Sequence, residues 1–406
     1  MKLFLYIFLF VLVLQSFSYS QEPVSQWKVT REDLEKYGID FYQFHVGLFS
    51  YKGDIMVGYE FMPLEYRKKG TVYGLRIFRF KPDGKFTMDT VLLPIIFMVS
   101  LTFADNEQSI IVVGNYGTKI VKVNLRSNPM KVETIFQHEP KKPGFRTENL
   151  VITWNNKVYL SGYFYDKDQY WEDDAIAELK IEKNDVKFVK TLSLTEAYKK
   201  LQIPAAKVLQ VASGDCVYLA FNKAKKLLTE EEIEQRTPAN LVCCNKGNII
   251  TIDKALSIGN FAATPDRIFY SAVRMIPPKP DPSKPKQQLE NLLVSYNCVK
   301  NINDKKKWDV PGKNVNYTYP FISQDSKTMI FCLINVMEQK MIVFYAREKE
   351  NFQPKVLLNE IPVSPMKLSG DGKAYLYMNP QEICVAYIEP PAAPTKVVPP
   401  TPNNSK

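Results

Sequence analysis

Few residues in this 406-residue chain have types and spacing suited to chemistry. Asp166, Asp168, Glu172, Asp173 and Asp174 lie close enough together to wrap a calcium ion. The run lacks the glycine and ordered spacing of an EF-hand loop, however, so it reads as a solvated loop and no metal site is assigned. With only two histidines, His45 and His138, and no CxxC, a zinc or haem centre lacks ligands and no cofactor is expected. G-x-S-x-G, a Walker loop and G-x-G-x-x-G after a strand are all missing from the sequence. Six cysteines, Cys216, Cys243, Cys244, Cys298, Cys332 and Cys384, fall in apolar strand-like runs and read as small buried residues. If one pair bonds, it is Cys216 with Cys243 or Cys244, which fall on adjacent strand-like segments, in a chain whose export would permit disulfides.

The elements that must position any site come from a recurring unit. Tyr319 to Ile334, YPFISQDSKTMIFCLI, is a short strand, a polar turn at Gln324 to Lys327 and a second, apolar strand. Versions of it start at Phe44, Val99, Leu150, Val208, Gly259 and Met366, and their turns lie about 45 to 60 residues apart. That spacing is slightly longer than a WD-type blade and close to a kelch blade. Each interval also holds two further strand-like segments, such as GTVYGLRIFRF and FTMDTVLL after the first unit. The expected fold is therefore all-β: a seven-bladed propeller of four-stranded antiparallel blades, with six or eight blades as alternatives.

The strand chemistry agrees. Second strands such as Ser109 to Val113 and Met329 to Ile334 are apolar on both faces, as packing between neighbouring blades demands, whereas a sandwich with one wet face would alternate. The seventh unit stops one strand short after QEICVAYIE, and VSQWKVT, Val24 to Thr30, is otherwise unassigned. Pairing these two segments closes the ring and leaves no unfinished edge.

The turns FISQDSKTMIF, KLSGDGKAYLY and FAATPDRIFYS resemble the S-x-D-G-K-x-[IL]-[YF] turn of WD-repeat-like propellers, including the periplasmic propeller of the Tol-Pal system. The resemblance covers the seven hairpins, about a third of the chain, and implies a platform for protein or ligand binding more often than an enzyme. Asn155-Asn156 and Lys52-Gly53 depart from it by lacking the acidic residue.

Met1-Lys2, the apolar run Leu3 to Leu14 and the small-residue site at Ser18-Tyr-Ser20 read as a signal peptide over residues 1–20. The propeller is then expected over 21–389, followed by a disordered proline-rich tail, 390–406. Export to the periplasm or beyond the cell follows, with no membrane span after cleavage and a monomer expected. Short helices are expected after Thr30 as N-cap, over Leu194 to Leu201 and over Leu228 to Gln235, and Ile276 to Lys286 is a proline-rich loop. The net charge of +10, from 53 basic and 43 acidic residues, spreads over a mixed surface. No basic run is interleaved with aromatics, so nucleic acid is not an expected partner. Weak attraction to an anionic envelope component or polysaccharide remains open.

In a four-stranded blade the first-to-second and third-to-fourth turns share one rim, and the remaining connections share the other. Here the first set is short, and every long insertion falls in the second, which marks that rim as the working face. It carries His138, Arg146, Tyr170, Trp171, Tyr317 and Tyr319, a mixture of aromatics and cations suited to a protein or a sugar. The expected function is an exported binding or interaction scaffold, protein partner first. A carbohydrate-binding protein, or a propeller hydrolase, lyase or dehydrogenase with a site at the channel mouth, is the alternative.

Overall fold

The computed structural model describes residues 25–61, 73–81, 84–139, 142–168, 170–182, 185–222, 239–276, 292–310, 317–335, 340–361 and 364–388. The expected signal peptide, the helix at Leu228 to Gln235, most of the proline-rich loop and the tail from Pro390 lie outside the described residues. Seven separate four-stranded antiparallel sheets are present, each built from strands consecutive in the chain except the last. Blade one runs from His45–Phe49 to Phe86–Leu93, blade two from Met98–Ala104 to Lys131–Gln137 and blade three from Gly144–Trp154 to Asp185–Ser193. Blade four runs from Lys207–Ser213 to Asn248–Ala255, blade five from Ser257–Ala263 to Lys307–Val310 and blade six from Thr318–Ile322 to Lys355–Ile361.

Blade seven takes three strands from the C-terminal part, Ser364–Leu368, Ala374–Met378 and Glu382–Tyr387, and its outermost strand, Ser25–Thr30, from the other end. Trp27 sits opposite Val385 and Val29 opposite Ile383. The closing strand is the one its unassigned sequence suggested. Thr30 then caps a short helix, α1 (Arg31–Lys36): its hydroxyl accepts from the Asp33 N–H at 3.1 Å while Asp33 accepts from the Thr30 N–H at 3.1 Å.

Apolar burial is distributed. Seven separate clusters fill the seven junctions between neighbouring blades, from Met56, Phe78 and Leu376 between blades seven and one to Ile330, Val343 and Tyr375 between blades six and seven. This is why Ser109–Gly114 is buried along its whole length, each face meeting a different neighbour, whereas Lys131–Gln137 on the outer edge has no fully buried residue. The six cysteines are buried thiols within these clusters, and none is bonded. Cys216 and Cys243 approach to 3.5 Å between sulfurs.

The short turns explain themselves by hydrogen bonding. Ser369, fully buried, accepts from the Ala374 N–H at 2.9 Å and donates to Asp371 at 2.7 Å, and Asp371 in turn accepts from the Lys373 N–H at 3.0 Å. Ser323 and Asp325 repeat the arrangement around Thr328 and Lys327. The pair holds a hairpin closed by side chains where backbone partners run out. In blade one Lys52-Gly53 lacks the acid as expected, in a turn of the same length whose Gly53, at φ +75°, matches Gly372 at φ +69°. Ser50 donates instead to an acid two positions further on, Asp54, at 2.7 Å. Blade three dispenses with it, since Asn155 and Asn156 both have positive φ and form the two-residue turn themselves.

On that rim the blades are also tied to one another. The Tyr51 N–H donates to Glu107 at 2.5 Å, the Asn106 N–H to Asn156 Oδ1 at 2.6 Å and the Thr191 hydroxyl to the Gly214 carbonyl. The Tyr218 hydroxyl donates to the Thr264 carbonyl at 2.9 Å, and Arg267 to the Ser326 carbonyl at 2.5 Å. The Gln324 N–H then reaches the Gly370 carbonyl at 2.9 Å and the Asp371 N–H the Tyr51 carbonyl at 3.0 Å. These bonds cross every junction and return to blade one. The short-turn rim is a clasp.

Candidate functional site

On the long-connection rim, the junction of blades two and three gathers four of the six expected residues. Arg146 stands opposite Tyr163 in the pairing of the first two strands of blade three, and Tyr165 stands opposite Trp171 in the next pair. The exposed Arg146 donates from Nε to the Tyr116 carbonyl of blade two at 2.9 Å and from a terminal nitrogen to the Tyr163 hydroxyl at 3.3 Å. His138 ends blade two, and its Nδ1 lies 2.5 Å from the Tyr165 hydroxyl. Trp171, paired with Tyr165, and the preceding Tyr170 are 61% and 72% exposed.

Two residues that the sequence did not single out complete the surface. Phe97 and Tyr116 stack with centroids 4.7 Å apart and planes 10° from parallel, yet both remain exposed. The Tyr116 turn is held by its neighbour: Gly117, at φ +79°, lies so close to the Thr147 carbonyl that a Cβ would overlap it. The signal was present as large apolar residues at Ile96, Phe97 and Tyr116, in connections where small polar ones are usual.

Phe97, Tyr116, Arg146, Glu148 and Tyr163 line a shallow depression of about 540 Å³. A narrow cleft of about 120 Å³ between His138, Arg146 and Tyr165 adjoins it. The depression is of ligand size, while the cleft admits only a side chain or a small group. The buried Thr147 hydroxyl beside the depression has no hydrogen-bond partner among the described residues. Burial raises the Asp174 carboxyl above the usual carboxylate range, and the charge of Glu148 pushes it further the same way.

Tyr317 and Tyr319 are not part of this surface. Both belong to the entry into blade six, which is not a neighbour of blade three. Tyr317 is a core residue, 6% exposed, with its ring 4.5 Å from Phe331 and 5.6 Å from Phe344. It was expected on the rim because a long connection precedes it, but its side chain turns into the junction of blades five and six. Tyr319 is half exposed, with a left-handed backbone at φ +48°, and stands apart from the other four.

The acidic run serves the loop. Asp166 accepts the N–H groups of Asp168 and Tyr170, both at 2.8 Å, and Asp173 binds Lys190 and Ser193, each at 2.7 Å. Among the described residues no group of carboxylates, histidines and cysteines is arranged to hold a metal ion, and no helix is long and apolar enough to cross a membrane.

The other titratable cluster, between blades four and five, is structural. Asp253 accepts from the Tyr270 and Tyr296 hydroxyls, both at 2.7 Å, from the Lys254 N–H at 2.8 Å and from Arg274 at 2.5 Å. Burial pushes its carboxyl up, but the two hydroxyls, the N–H and the guanidinium outweigh that and hold it below the usual range. A carboxyl lower in the folded than in the unfolded state adds stability that is present above the unfolded value, about pH 4, and is lost as the pH falls through the folded one. Asp253→Asn is accordingly expected to lower stability at pH 7 and to flatten its decline below about pH 4. Urea unfolding across pH 2.5 to 7 measures this, and an unchanged acid limb would rule it out.

No family model matches the chain, and no curated protein matches it in sequence. Among solved structures, the β-propeller domain of the trilobed protease from Pyrococcus furiosus superposes with a TM-score of 0.47 at 11% identity, covering 86% of this chain and 99% of that one. Acylaminoacyl peptidase from Pyrococcus horikoshii gives 0.46 at 12% identity, over 84% of this chain and 50% of the peptidase. TolB from Acinetobacter baumannii gives 0.35 at 8%, over 78% and 64%. Likeness at this level extends no further than the propeller fold, which the strand pairing establishes without it.

Proposed function

We propose that the protein is an exported binding propeller that holds a partner on its long-connection rim at the junction of blades two and three, a protein segment being the first ligand class. The observation that carries this reading is the contrast between rims. One is tied at every junction through its turns, whereas the other, though Arg146 bridges blade three to blade two, presents Phe97, Tyr116, Tyr170 and Trp171 to solvent. Aromatic and arginine side chains supply most of the energy at protein interfaces, and a monomer has no folding reason to expose four of them together. A saccharide is the second reading, favoured by the flat Phe97–Tyr116 pair with Arg146 and Glu148 beside it.

The test is capture of partners from the exported fraction by immobilised protein, whose chain is expected to begin at Gln21. Tyr116→Ala and Trp171→Ala are each expected to reduce recovery of a bound partner about tenfold or more. Lys327→Ala, on the clasped rim, should leave it unchanged. Equal recovery with all three variants would refute the assignment of the rim.

A further inference from the structure

The central channel contains a second cavity, about 310 Å³, towards the clasped rim and away from the depression described above. The innermost strands line it, with Trp154 from blade three, Gln210 from blade four, Phe261 and Thr264 from blade five, Phe321 from blade six and Lys367 from blade seven. Gln210 and Thr264 are already engaged. The Gln210 amide donates to the Ala263 carbonyl at 2.7 Å and accepts from the Ala263 N–H at 2.9 Å. Thr264 bonds the Arg267 carbonyl and the Ser326 hydroxyl. Lys367 is different: it is partly buried, and among the described residues no carboxylate pairs with it. Loss of water alone lowers its ammonium pKa, with no opposing charge to restore it.

An ammonium in a largely apolar cavity without a counter-charge is a standing electrostatic cost, and a ligand carrying one negative charge removes it. Trp154, Phe261 and Phe321 offer flat apolar surface for the remainder of such a ligand. We propose that the channel binds a small organic anion, a monocarboxylate with a flat apolar body, whose carboxylate rests on the Lys367 ammonium. This site is independent of the rim, and either assignment can fail without the other.

Calorimetric titration of the full chain tests it, with benzoate as the probe and benzamide and inorganic phosphate as comparators. Benzoate is expected to bind one to one and to change the fluorescence of Trp154, a response absent from Trp154→Phe. Benzamide, which lacks the charge, and phosphate, which lacks the apolar body, are each expected to bind about tenfold more weakly or less. Lys367→Met should abolish benzoate binding and raise the unfolding midpoint of the unliganded protein. Should that variant not fold, Lys367→Gln, which keeps chain length and polarity, gives the same reading of affinity. Absence of benzoate binding, equal binding to the lysine variants, or phosphate binding as tightly as benzoate would each overturn the proposal.

Discussion

Replacing Trp27 by alanine is expected to cost about 3–5 kcal/mol of stability, the range for deleting a buried tryptophan. The side chain is 8% exposed, stacks on Phe80 with centroids 5.2 Å apart, meets Tyr387 edge-on at 5.5 Å and donates from Nε1 to the Lys81 carbonyl at 2.7 Å. It therefore joins three things at once: the closing strand, the third strand of blade seven and the third strand of blade one. Trp27→Phe keeps most of the burial and loses the indole bond, so about 1 kcal/mol is expected for it. The adjacent Lys28, whose ammonium reaches Glu382 at 3.1 Å on the surface, provides the control: Lys28→Ala should cost no more than about 1 kcal/mol. Denaturant unfolding followed by far-ultraviolet circular dichroism separates the three. If Trp27→Ala were no more damaging than Lys28→Ala, the closing strand would not be what holds the ring.

The closure was legible from sequence because a propeller leaves a quantitative gap. Three strands at one end and one spare strand at the other can satisfy the edges in one arrangement, and Trp27 opposite Val385 is that arrangement. Blade number was legible for a related reason. The apolar second strands and the Ser-Asp turns are local chemistry, visible wherever they occur. Tyr317 was misread because connection length says which rim a residue is near but not which way its side chain points. Only the packing of Phe331 and Phe344 settles that.

The surface proposed for binding was half legible. Arg146 and Trp171 come together because two strand pairings in blade three bring them there, Tyr170 precedes Trp171, and His138 joins from blade two at the Tyr165 hydroxyl; all four stand in long connections or at their edges. Phe97 and Tyr116 belong to short connections of a different blade, and they enter only through the geometry of the junction. Lys367 escaped notice for the opposite reason. A lone lysine in a strand usually faces solvent, and nothing in SPMKL says that its strand lines a channel.

A second large effect is expected inside blade one. Arg76 donates from Nε to Glu60 at 2.5 Å and also contacts Thr90, and both members of the ion pair are less than a tenth exposed. Burial holds the Glu60 carboxyl above the usual range despite the guanidinium beside it, so the pair compensates its own desolvation only in part. Removing one partner strands the other. Arg76→Met is expected to cost about 3–5 kcal/mol at pH 7, and the deficit should shrink as the pH falls. The sign follows from the carboxyl: without its cation, Glu60 has a folded pKa still further above the unfolded value. Its contribution is then fully present below the unfolded pKa and is lost as pH rises through the folded one. Adding Glu60→Met to Arg76→Met removes the stranded charge and should recover most of the loss, ending near neutral or above the parent by about 1–4 kcal/mol. Urea titrations of the two singles and the double at pH 5 and pH 8 contain the whole cycle. A double variant no more stable than Arg76→Met, or a single whose deficit does not change between those pH values, would mean that water reaches Glu60 and that the pair is a surface contact in energetic terms.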